Sequence, residues 1–105
     1  MAKKKLRPPF LDIVEAKLGH LPGFRLRPMF GGYGLYLDKS FFAVVDESRI
    51  YFRVTDETRP SYVAKKSKPF EYRPGQVMNG YYEVPKSVWD DEVMLAEWAF
   101  RAAMR

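Results

Sequence analysis

The chain contains no cysteine and only one histidine. The first absence excludes disulfides, thiolate zinc sites and cysteine nucleophiles, and it suits a reducing compartment. The second leaves His20 without a metal-binding or catalytic companion. It follows Gly19 at the end of a predicted helix, where a cation meets the helix dipole favourably, so a capping role is expected of it. No apolar run approaches the ~20 residues that a membrane-spanning helix requires. Residues 1–9 carry charge but lack the apolar stretch of a signal peptide. A soluble, cytoplasmic chain with no membrane contact, no metal and no cofactor is therefore expected. With 105 residues, 47% of them hydrophobic, the chain suits one domain with one core.

Excess acid is lacking too, since 18 Lys and Arg face 13 Asp and Glu for a net charge of +5. Lys3, Lys4, Lys5 and Arg7 account for four of those cations, leaving 14 basic against 13 acidic groups in the remainder. Residues 1–9 are therefore expected to be a disordered basic tail, and residues 10–105 a nearly neutral domain.

Apolar residues at Phe10, Leu11, Val14, Leu18 and Leu21 have helical spacing. Alternation then marks a strand over residues 24–30, with Phe24, Leu26 and Phe30 on one face and Arg25 and Arg27 on the other. Pro28 puts it at an edge or a bulge. Strands follow over residues 33–38, 41–46 and 49–54, with links too short for parallel crossovers. A short helix begins after Thr55-Asp56-Glu57-Thr58 and ends at Lys65-Lys66. Two more strands are expected over residues 70–73 and 80–84, joined by a loop through Pro74-Gly75. Ser87-x-x-Asp90 reads as a capping box opening a last helix that runs to about residue 104. On that helix Trp89, Val93, Ala96, Phe100 and Ala103 form one apolar stripe, which Leu95, Trp98, Ala99 and Ala102 widen. An arc this broad lies deep or meets a second chain. A homodimer through Leu95, Trp98, Ala99 and Ala102 is expected.

The densest signal is Met29-Phe30-Gly31-Gly32-Tyr33-Gly34-Leu35-Tyr36. Gly31-Gly32 between two β-prone runs is the pattern of a two-residue hairpin connection whose central residues need positive φ. Gly34 marks a bulge or a close approach of backbone. A phosphate-binding loop would need a helix afterwards, and a strand follows.

The hairpin, with Phe41-Phe42-Ala43, Tyr51-Phe52-Arg53-Val54, Asp56-Glu57-Thr58-Arg59, Pro69-Phe70 and Tyr81-Tyr82-Glu83-Val84-Pro85 in that order, resembles the TfoX/Sxy N-terminal domain family over about residues 24–103. The resemblance implies a two-layer α+β domain of order α-β-β-β-β-α-β-β-α, its antiparallel five- to six-stranded sheet packed on helices, similar to the YgaC and secretion-chaperone folds. It also implies a regulator of the competence and transcription type. The better known members act with the cyclic-AMP receptor protein and carry a C-terminal domain; this chain is expected to be a single-domain relative. The resemblance brings no catalytic or binding residues with it.

Chemical sites are scarce. Asp90-Asp91-Glu92 sits in a first helical turn, where negative charge is favourable without any metal. Ser40, Ser48, Ser61, Ser67 and Ser87 have no base near them in sequence, so no enzyme is expected. Function points instead to the second face of the sheet. If Phe24, Leu26, Leu35, Leu37, Phe52, Val54, Phe70 and Tyr82 turn towards the helices, alternation turns Arg25, Arg27, Tyr36, Tyr51, Arg53, Glu71, Arg73, Tyr81 and Glu83 away. An Arg/Tyr face is a solvated surface held by cross-strand pairs, a protein interface, or a platform for nucleic acid. A non-enzymatic regulatory or adaptor domain working through protein contacts leads, with direct nucleic-acid binding by this face as the alternative.

Overall fold

Helix α1, Pro9–Leu18, places Pro9 at its start, where the missing amide hydrogen has no helical partner to lose. It turns Leu11, Val14 and Leu18 inward. The computed structural model describes residues 8–29 and 32–104, so the tail is described only from Pro8 onward. Pro9, expected in the tail, already belongs to the helix. Phe30 and Gly31, the latter one of the two expected turn glycines, lie outside the described residues.

Six strands follow: β1 (Phe24–Met29), β2 (Gly32–Leu37), β3 (Ser40–Asp46), β4 (Arg49–Arg53), β5 (Pro69–Arg73) and β6 (Gln76–Glu83). Helix α2, Arg59–Ala64, separates the first four from the last two. All neighbours pair antiparallel in the order β1-β2-β3-β4-β6-β5, the α+β arrangement expected. Pro28 sits in an edge strand, where a missing donor is tolerated.

One core joins the helices to a single face of the sheet. Leu35, Leu37, Phe52, Val54 and Tyr82 enter it as alternation requires, with Phe24 and Leu26 packed at its margin. The Tyr62 ring, from α2, meets Trp98 edge-on at a centroid distance of 4.7 Å. Phe42 breaks the alternation. The β2–β3 register steps between Leu35, opposite Ala43, and Tyr36, opposite Phe41, so Phe42 has no partner on β2. This bulge lets Phe42 turn inward beside Ala43, fully buried, with its ring centroid 5.6 Å from that of Phe52. Burying such a ring contributes roughly 1.5–3 kcal/mol.

Three expectations are corrected. Strand β6 begins at Gln76, because Gly75 at φ 79° closes a tight hairpin in place of a longer loop. Phe70 does not enter the helix layer: the register shifts between Pro69 and Phe70 and turns its ring onto Tyr51, 4.7 Å away on the opposite side. The last helix comes in two pieces, α3 (Lys86–Trp89) and α4 (Glu92–Ala103), and Ser87 caps neither. Pro85 precedes α3, whereas Asp91, in extended conformation, accepts a hydrogen bond from the Met94 amide at 3.0 Å and starts α4.

That break resets the phase of the helix. Leu95, Ala99 and Ala102 are buried in the chain's own core, and Trp98 is half-buried against Tyr62. The four residues expected to meet a second chain are therefore occupied within this one. The large apolar side chains left exposed here are Val93 and Phe100 of α4 and Met104 just beyond it.

Candidate functional site

The helices leave the other face of the sheet open. Cross-strand rows run over it from Arg25 through Tyr36 to Phe41, and from Arg27 through Gly34, Val44 and Tyr51 to Glu83, with Arg53 opposite Tyr81. The expected Arg/Tyr residues are thus on neighbouring rows, but they are not equivalent. Arg25, Arg27 and Arg73 are exposed at the edges, and no carboxylate among the described residues pairs with them. Tyr36 and Tyr81 are half-buried on either side of Phe41, at centroid distances of 5.3 and 5.8 Å. Tyr51 is buried under Phe70. That burial raises its hydroxyl pKa above the ordinary value, with the Glu83 carboxylate acting in the same direction.

The middle of the face is an apolar trough of about 550 Å³, walled by Met29 on one side and by Phe70, Tyr72 and Met78 on the other, with Phe41 and Val44 between. Met29 belongs to edge strand β1, and Phe70 and Tyr72 to edge strand β5. Both edges of the sheet thus contribute side chains to one trough.

Glycine makes the trough possible. A Cβ on Gly34 would stand 2.6 Å from the Phe41 ring and 2.9 Å from the Met29 methyl, so the bare backbone lets both side chains lie across it. The expected close approach at Gly34 is observed. Gly32 differs from expectation. It pairs with Met29 inside β2 and has no positive φ, so it is not a central turn residue. Its Cβ would instead run into the carbonyl oxygen of Val45 on β3.

Several polar groups of the sheet have local partners. Arg49 contacts Glu83 at 3.4 Å, and Glu71 accepts from the Gly75 amide at 2.7 Å. Tyr72 donates to Gln76 at 3.2 Å. Met29, Phe41, Val44, Tyr72 and Met78 do not stand out in the sequence as members of a site. The signal that could have found them is the Phe41-Phe42 pair following Gly34: two large rings in succession part to opposite faces, and a glycine on the neighbouring strand gives the outer one room.

Elsewhere the chemistry is structural. Asp91 caps α4, Asp90 pairs with Lys86 at 2.7 Å, and His20 is exposed beyond α1. Among the described residues no cluster of His, Asp and Glu could hold a metal ion, and no helix is long and apolar enough to cross a membrane. A family model described as the TfoX N-terminal domain matches residues 16–105. Among curated proteins nothing matches the chain.

Proposed function

The chain belongs to the TfoX N-terminal domain family, and we propose that it is a non-enzymatic regulatory domain of that type which acts by holding another protein against the open face of its sheet. One observation carries this reading: the centre of that face is an apolar trough of about 550 Å³ flanked by aromatic and methionine side chains. Aromatic and methionine side chains are the ones enriched at the centres of protein interfaces, where they exclude water from a few anchoring contacts. Arg25, Arg27 and Arg73 stand at the edges, where they steer an approach without supplying most of the affinity.

The same geometry weighs against nucleic acid on this face. A base needs an uncovered ring to stack on, and among the tyrosines of this face Tyr72 alone is well exposed, since Phe70 covers Tyr51 while Tyr36 and Tyr81 flank Phe41. Self-association is read as secondary, with the exposed Val93, Phe100 and Met104 of α4 as the surface left for it.

The test is affinity capture from native extract with wild-type protein and a Tyr72→Glu/Met78→Glu variant. Both side chains are well exposed, so the variant should fold normally. A protein retained by wild type at moderate salt and lost from the variant supports the proposal. Retention of the same proteins by both, or of none by either, sinks it.

A further inference from the structure

The trough has a charge pattern as well as a shape. Arg25 lies in register with Tyr36 and, beyond it, Phe41, while Arg27 lies in register with Gly34 and, beyond it, Val44. Phe41 and Val44 both line the trough, so each β1 arginine heads a cross-strand row that runs into it. At the other edge Arg73, the last residue of β5, is part of the wall itself. The apolar centre is thus bracketed by arginines on both edge strands.

These cations are available to a partner. All three are exposed, and no carboxylate among the described residues pairs with them. The carboxylates of the neighbouring strands are engaged elsewhere, Glu83 with Arg49 at 3.4 Å and Glu71 with the Gly75 amide at 2.7 Å. Asp46 is the acidic residue of the wall, and it stands opposite Arg49 where β3 turns into β4. Against that one carboxylate, the wall and its two flanking rows hold Arg25, Arg27 and Arg73.

We propose that the segment held in the trough is acidic: a stretch of another protein with apolar anchor side chains in its middle and carboxylates on both sides of them. The inference rests on the protein-contact reading above and adds to it the chemistry of the partner. Apolar contact alone would accept any amphipathic segment. The arginines discriminate, because a carboxylate meets a guanidinium through two parallel hydrogen bonds, whereas a cation placed there is repelled. Pairs at a hydrated rim are individually weak, so three of them favour an acidic over a basic segment by about tenfold, chiefly through the rate of association. Nucleic acid offers the arginines the same charge, but its bases find few uncovered rings between them.

The experiment is fluorescence anisotropy with two labelled synthetic peptides of equal length that share central Leu, Trp and Phe residues and carry Glu on both flanks in one and Lys in the other. The Glu peptide should bind about tenfold more tightly, and the ratio should shrink towards one as KCl rises from about 50 to about 500 mM. Arg25→Gln/Arg27→Gln/Arg73→Gln should bring the two peptides within about twofold of each other. Tyr72→Ser/Met78→Ser removes apolar surface without changing charge and should weaken both. All the replaced side chains are exposed, and circular dichroism checks that each variant folds. Equal binding of the two peptides, or tighter binding of the Lys peptide, overturns the inference; if the Tyr72/Met78 variant still weakens that binding, the protein-contact reading stands without it. Binding of neither peptide, or binding that neither variant alters, also overturns it, and the capture experiment then judges the protein-contact reading by itself. Arginine-dependent binding of a labelled single-stranded oligonucleotide, with no preference for the Glu peptide, assigns the arginines to nucleic acid and overturns it equally.

Discussion

Replacing Gly32 by alanine should destabilise the protein for a steric reason, not a torsional one. In an ordinary strand the exchange is favourable by about 0.5–1 kcal/mol, because alanine has less backbone freedom to lose on folding. Here the new methyl group would point into the Val45 carbonyl oxygen of the neighbouring strand. A backbone atom within a ladder cannot swing aside like a side-chain end, so β2 and β3 must separate locally. Overpacking of this kind costs about 1–3 kcal/mol. Taking the middle of that range, about 2 kcal/mol, less the gain of about 0.5–1 kcal/mol, the net loss is about 1–1.5 kcal/mol, which for a domain of this size lowers the melting temperature by roughly 4–12 °C. Urea unfolding with an unchanged m-value measures it. Asparagine supplies the discriminating comparison, because it tolerates positive φ better than alanine but is larger. If the clash governs, Gly32→Asn is at least as destabilised as Gly32→Ala. An alanine variant as stable as wild type, or an asparagine variant clearly more stable than the alanine one, would refute the reasoning.

Two further outcomes are expected. Asp91→Ala should cost about 1 kcal/mol through loss of the α4 cap, while Ser87→Ala should change stability by less than half of that; equal losses in thermal melts would restore Ser87 as the cap. Burial of Tyr62 raises its hydroxyl pKa well above the ordinary value of 10, with Arg101 opposing more weakly. Because the folded pKa is the higher one, this contribution is fully present below pH 10 and is lost as pH rises beyond it. Urea midpoints compared between about pH 9 and about pH 11 should therefore fall less in Tyr62→Phe than in wild type. A fall of the same size in both would contradict it.

The strands are readable where one face is buried and the other is not. Leu35, Leu37, Phe52 and Val54 sit where period-two alternation puts them, and Pro28 and the short links point to an edge strand and antiparallel order. Alternation fails at the register shifts. Phe42 and Phe70 each lie beside one, and a shift reverses the face of every side chain beyond it without leaving a mark in composition. The start of the last helix escapes sequence reasoning for a related reason: Ser87 and Asp91 both offer capping oxygens, and only the burial of Leu95 and Ala99 selects between them. The site is half readable. Alternation locates the open face and its arginines, but which tyrosines are covered depends on the packing of Phe70 from β5 onto Tyr51 of β4, a tertiary event.

The bulge at Phe42 gives the two layers of the domain a common anchor. Phe41 stands in the trough and Phe42 is wedged against Phe52, so adjacent residues are anchored one in the open face and one in the core. A molecule that levers Phe41 outward must twist the backbone at that point, and the twist is resisted by the packing of the helices behind it. The shape of the open face is thereby tied to the packing of the hydrophobic interior, so the entropy of forming it is spent when the polypeptide folds.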